Sequence, residues 1–214
     1  MIKTAYTLPQ DIEGRSFEII SQELGPTDFT DTELMVVKRV IHATADFDFA
    51  KTLTFSPAAA EAGIAALKDG AHIVCDTTMV EAGINKRALS RLGGATHAFV
   101  GDRCVAEEAK RRHTTRSAIA MERAAALDVP TIFAIGNAPT ALIRLCQMIE
   151  DETMRRPALV IGVPVGFVNV VESKEALQTT DVDQIVATGR KGGSTVAVAI
   201  ANALIYCATG GRRD

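Results

Sequence analysis

Five short runs of this chain are apolar almost without interruption: "HIVCD" (72–76), "HAFV" (97–100), "TIFAI" (131–135), "ALVIGV" (158–163) and "DQIVAT" (183–188). A strand with one face in water alternates apolar and polar residues, whereas a strand buried on both faces has no polar set to display. These runs therefore predict parallel strands, and parallel neighbours need a crossover of a dozen or more residues between them. Helical patterns with readable ends lie between most of them. Ser56-Pro57 opens "PAAAEAGIAALKD" (57–69) and Gly70 closes it, Thr115 caps "RSAIAMERAAALD" (116–128), and Pro139 stands in the first turn of a helix through "TALIRLCQMIEDE" (140–152). The segment "GGSTVAVAIANALIYCA" (192–208) reads as a buried helix.

Such alternation predicts a three-layer α/β/α fold around a five-stranded parallel sheet with right-handed crossovers. The first 70 residues differ. "DIEGRSFEIISQEL" (11–24) and "TDTELMVVKRVIHATADF" (30–47) form a purely helical preface, packed over the sheet within one domain spanning 1–214. In open α/β sheets ligands bind at the carboxyl ends of the strands. Those ends lead into "DTTMVEAGI" (76–84), "VGDRC" (100–104), "IGNAP" (135–139), "GVPVGFV" (162–168) and "TGRKGGST" (188–195), where the site is expected.

Composition excludes several classes of function. A net charge of −3 offers no basic field for nucleic acid. No apolar run approaches the ~20 residues of a membrane span, and "MIKTAYTLPQ" lacks the apolar core of a secretory signal, so a cytoplasmic protein is expected. Cys75, Cys104, Cys146 and Cys207 are scattered without CxxC or Cys/His pairing and read as reduced thiols. Nor do the four histidines share a ligand spacing, so no metal site and no cofactor is expected. His72 and His97 enter predicted strands and His113 follows a basic run at a helix end, where structural roles suffice.

His42 is different. In "RVIHATADF" (39–47), Arg39, His42 and Asp46 share one narrow helical face. Thr30 and Glu33 form a T-x-x-E capping box that starts this helix at Asp31, with Leu34, Val37, Val40 and Ile41 on its apolar stripe. Two readings stand side by side: a surface helix with an exposed histidine and an Arg/Asp pair, or a general acid. In the second, Asp46 favours the imidazolium and Arg39 opposes it, which poises the ring near neutral pH.

In "ATGRKGGSTVAV" (187–198), a glycine-rich turn with Arg190 and Lys191 precedes a helix start, an arrangement suited either to an anion or to a tight turn with exposed charges. It is not a Walker A motif, because the lysine precedes the glycines. Arg116, in the first turn of its helix, opposes the helix dipole, which an anionic ligand would offset. No G-x-G-x-x-G follows a strand, and no G-x-S-x-G elbow occurs.

Seven stretches together resemble the precorrin-8X methylmutase family of cobalamin biosynthesis. They are "RSFEII" (15–20), "RVIHATADF" (39–47), "DTTMVEAGI" (76–84), "TRSAIAM" (115–121), "AIGNAPTAL" (134–142), "PALVIGVPVGFVNVVESKEAL" (157–177) and "GRKGGSTVAVAIANAL" (189–204), in the family's order. The resemblance implies an isomerase that moves a methyl group from ring carbon C-11 to C-12 of a contracted tetrapyrrole, giving hydrogenobyrinate, or cobyrinate if cobalt is already inserted. It also implies a flavodoxin-like sheet in the order 2-1-3-4-5, a homodimer, and His42 as the catalytic acid with Ser16 and Arg39 as substrate contacts. The substrate's acetate and propionate arms are anionic, and Arg39, Arg116, Arg190 and Lys191 suit such a polyanion. Its face would rest on aliphatic walls in a chain without tryptophan. Transient contact with neighbouring pathway enzymes is a further expectation. Two rivals are a non-catalytic tetrapyrrole carrier of the same pathway and a phosphate-ligand enzyme using the 189–195 loop.

Overall fold

Successive side chains of the central strands enter two different cores. Ile73, Ile132, Ala134, Leu159, Ile161 and Ile185 face one, while Val74, Phe133, Ile135, Val160 and Val186 face the other. Period-two alternation between two apolar layers is what leaves these runs without polar positions.

The structure is a computed structural model that describes residues 8–211. Helices α1 (Pro9–Leu24), α2 (Asp31–Thr44) and α3 (Phe49–Thr52) precede strand β1 (Leu53–Phe55). Then follow α4 (Ala59–Lys68), β2 (His72–Cys75), α5 (Thr78–Gly83), α6 (Lys86–Arg91) and β3 (Thr96–His97). The second half runs α7 (Arg103–Arg111), α8 (Arg116–Ala124), β4 (Thr131–Ile135), α9 (Pro139–Glu150), β5 (Leu159–Gly162), α10 (Val170–Thr179), β6 (Gln184–Ala187) and α11 (Ser194–Ala208). One core lies under α1, α2, α4, α5, α6 and α11; the other lies under α7 to α10.

The sheet order is β1-β6-β5-β4-β2-β3. The expected five-stranded, all-parallel sheet is therefore corrected to six strands, and the expected purely helical preface to one that contains a strand. β1 pairs antiparallel with β6, Leu53 opposite Ala187 and Phe55 opposite Ile185. Three residues at an edge make too short a run to register as a strand in the sequence; tertiary pairing creates it. The other five strands are parallel neighbours. Of the second expected run (97–100) only His97 is extended, joined in β3 by the preceding Thr96, since the chain then turns into a 3-10 helix at Phe99–Gly101. That turn sends Phe99 and Val100 onto the second core.

Local signals of helix ends hold where the cap is a side chain on its own helix. Thr30 and Glu33 form the reciprocal capping box of α2, and the Thr115 hydroxyl accepts from the Ala118 N–H at the start of α8. Ser56 does not cap α4. Its hydroxyl accepts the Gln184 N–H across the β1–β6 edge, and α4 starts after Ala58 in a left-handed conformation without a side-chain cap.

Candidate functional site

Helix α2 lies antiparallel along α11. At one end the Cys207 thiol is 3.2 Å from the Met35 sulfur; at the other, Lys191, just before α11, reaches Asp46, just after α2. This puts the C-terminal turn of α2, with His42, beside the loop that leaves the carboxyl end of β6.

His42 is exposed and its ring stacks on Phe17 of α1, with centroids 5.2 Å apart and planes inclined by 21°. Arg39, one turn earlier, is mostly buried. Its guanidinium lies between the rings of Phe17, at 4.9 Å, and Tyr206, at 5.2 Å. It donates to the Glu13 carboxylate at 2.8 Å, and its Nε is buried without an acceptor. Ser16 stands next to Phe17 on α1 and donates its hydroxyl to the Ile12 carbonyl. Ser16, Arg39 and His42 thus belong to the paired helices α1 and α2. A cleft of about 420 Å³, lined by Phe17, Leu34, Met35, Lys38 and Arg39 among others, opens beside them.

Asp46 does not share the His42 face as expected. Helix α2 ends at Thr44, and Ala45 takes a left-handed conformation, which swings Asp46 away toward Lys191. The Lys191 ammonium is shared between Asp46 and Asp48, at 2.7 Å each. Arg39 likewise pairs with Glu13, not with Asp46. Among the described residues the imidazole of His42 consequently has no carboxylate counterweight: burial and then the Arg39 charge both push its pKa down. Lys191 and Asp46 hold each other in their charged forms, with the hydrogen bond between them the largest cause for each.

Arg190 is exposed and rests over the Phe167 ring at 5.5 Å; among the described residues it has no carboxylate partner. Of the two cations of this turn, only Arg190 is uncommitted. Arg116 is exposed at the first position of α8, in the opposite helical layer, where Thr115 bonds Thr140 of α9. Among the described residues no contact joins it to the His42 group.

Two buried charges escaped the sequence reasoning. Asp76, fully buried at the end of β2, accepts N–H bonds from Gly136 at 3.0 Å, Asn137 at 2.7 Å and Ala138 at 2.7 Å. Burial raises its pKa against the pull of these donors. Lys174 of α10 is 1% exposed and donates to the carbonyls of Gly189 and Lys191, each at 2.8 Å. A signal for Lys174 does exist: Val170, Ser173, Lys174 and Leu177 recur at helical spacing on the buried stripe. Phe17 and Glu13 carried no signal, because what matters about them is the helix they face.

Among the described residues, no three His, Cys, Asp or Glu side chains gather as metal ligands. His72 and His97 bond each other instead, Nδ1 to Nε2, at 2.8 Å. No helix among the described residues is long and apolar enough to cross a membrane.

Comparison with known proteins bears on what this arrangement does. The family model described as precorrin-8X methylmutase matches residues 11–207. A cobalt-precorrin-8 methylmutase of Priestia megaterium is 49% identical, over 95% of this chain and 90% of that protein. A precorrin-8X methylmutase of Pseudomonas aeruginosa is 40% identical, over 91% of this chain and 94% of that one. Among solved structures, a precorrin-8x methyl mutase from Thermus thermophilus aligns with a TM-score of 0.85 at 42% identity, covering 94% of this chain and 98% of that one.

Proposed function

The chain belongs to the precorrin-8X methylmutase family, and from that membership we propose which of its residues carry the reaction and how. The protein is an isomerase of cobalamin biosynthesis that moves a methyl group from C-11 to C-12 of precorrin-8X or its cobalt form. Migration between adjacent carbons of a conjugated ring is helped by a proton that draws electron density through the system, and His42 is the group that delivers it. The observation that carries this assignment is the His42–Phe17 stack beside the caged Arg39, an imidazole oriented by the same ring that helps line the cleft.

The free protein holds His42 toward its neutral form. A substrate bearing many carboxylates reverses this, since nearby negative charge favours the imidazolium. The acid is therefore charged when the macrocycle arrives, and returns to neutral when product leaves. Arg39 keeps an unused donor at Nε for a carboxylate arm, Arg190 offers an open guanidinium, and Ser16 bonds an arm or the ring edge. Lys191 and Arg116 serve arms farther from the reacting carbons. Holding the ring so that only one shift is geometrically available supplies the remaining acceleration.

Ile12 and Ile19 of α1, with Leu8 just before it, form an exposed apolar stripe at helical spacing, and Met35 is exposed on α2. This surface suits a second copy of the chain, as in a homodimer, and the 420 Å³ cleft, modest for a whole macrocycle, would gain a wall from it. The cytoplasm, where thiols stay reduced, suits the four free cysteines.

His42→Ala tests the assignment. The expected result is a fall in kcat of about 10²–10⁴-fold, followed by the absorption change as conjugation rearranges, with affinity for hydrogenobyrinate preserved. Turnover near the normal rate would remove His42 from the mechanism.

A further inference from the structure

Lys174 is a buried ammonium with no counter-charge. It is 1% exposed and, among the described residues, faces no carboxylate. Its pKa is lowered to about 8 by burial alone. Burying a charge is unfavourable unless something specific offsets it. Here its partners among the described residues are two backbone carbonyls, Gly189 and Lys191, on either side of Arg190. Both residues lie exposed on a surface turn, although the ammonium that bonds their carbonyls is buried. A methionine of similar length would avoid the desolvation cost. Stability alone does not explain the lysine.

The turn that it holds needs holding. Gly189 and Gly193 have φ of +72° and +125°, conformations that only glycine adopts without strain. On one side the turn is fastened to the loop after β5. Gly193 N–H donates to the Val163 carbonyl at 2.8 Å and Gly166 N–H to the Arg190 carbonyl at 3.2 Å. A Cβ on Gly192 would come within 2.2 Å of the Val163 oxygen. On the other side Lys191 ties it to Asp46 and Asp48. Lys174 pins the same turn from beneath, and what remains facing outward is the Arg190 guanidinium.

We infer that Lys174 is a positioning residue for the methylmutase reaction, its ammonium clamping the carbonyls of Gly189 and Lys191 so that Arg190 is presented to a carboxylate arm of the tetrapyrrole. The inference rests on the reading of the 189–193 turn as an arm-holding loop. It adds a residue that touches no substrate yet sets how tightly substrate is held.

Lys174→Met and Lys174→Gln, compared with Arg190→Gln, provide the test. The probes are hydrogenobyrinate titration, KM and kcat, thermal unfolding, and trypsin cleavage after Arg190 or Lys191. In Lys174→Met the expected result is faster cleavage at those two bonds, KM and product Kd raised about tenfold, and kcat within about twofold. The melting temperature should stay within a few degrees. The glutamine variant, which keeps a donor, should recover part of the affinity. In the Lys174→Met/Arg190→Gln double variant the lysine change should add little, because both act through one contact. Unchanged affinity in Lys174→Met while Arg190→Gln binds weakly overturns the role of Lys174 alone. Unchanged affinity in Arg190→Gln overturns the reading of the loop, and trypsin then reports separately whether Lys174 still locks it. A loss of affinity that only follows a large fall in melting temperature also overturns the inference.

Discussion

Two strand-to-helix turns at the carboxyl edge of the sheet begin alike and end with opposite charge. After β4, Gly136, Asn137 and Ala138 direct their N–H groups toward a single point, as a helix start does for an anion. That point is already filled by the Asp76 carboxylate arriving from β2. After β6, the turn 189–193 also leads into a helix, but α11 has no side-chain cap, and the group that arrives from a neighbour is the cation Lys174, which takes carbonyls. One turn is closed by an internal anion. The other is propped from behind by an internal cation, leaving its outward face open to an external anion. What fills each turn is thus decided by which charge a neighbouring element brings, not by the turn.

Asp76→Ala should have the largest effect. It strands the buried N–H groups of Gly136 and Ala138 and the part-buried one of Asn137, a loss on the order of 3–5 kcal/mol, or roughly 10 °C in melting temperature. Thermal unfolding measured beside Lys174→Met checks the contrast: if both variants melt alike, the two turns are not opposites. Next in size is the inequality between the two cations of the open turn. Arg190→Gln should weaken hydrogenobyrinate binding about tenfold and Lys191→Gln about twofold, since Lys191 is already engaged by Asp46 and Asp48. The gap should widen at low ionic strength; equal losses would show that Lys191 lets go of its carboxylates when substrate binds. The smallest effect is on pH. His42 holds its proton less tightly in the folded protein than the unfolded chain does, so below its ordinary value of 6.5 the unfolded state binds more protons. Stability then falls as pH drops from 6.5 through the folded value, and is regained as pH rises. NMR titration of the imidazole should place its pKa below 6.5 in the free protein and higher with product bound. A ring that product does not move would separate His42 from the arms.

Much of the architecture was legible because strands buried on both faces have no alternative way to look. Four of the five runs became strands of about the expected length. β1 and the truncated β3 were not legible, because short edge pairings depend on a partner far away in the chain. In the site, His42 and Arg39 stood out as a titratable ring and a cation on an otherwise apolar helix. Asp46 misled for a purely local reason: a left-handed residue at Ala45 ended the helix before the expected face was complete. Glu13 and Phe17 were invisible, since their importance comes from α2 lying against α1.

By itself the sequence determined the layered α/β plan, the caps of α2 and α8, the family, and the histidine on which the chemistry is proposed to turn. Periodicity and capping are local, so these are written in consecutive residues. Tertiary structure alone decided the charges: Asp46 to Lys191, Glu13 to Arg39, Asp76 to one turn and Lys174 to another. Electrostatic interactions depend on distance and burial, and both are set only when remote segments meet.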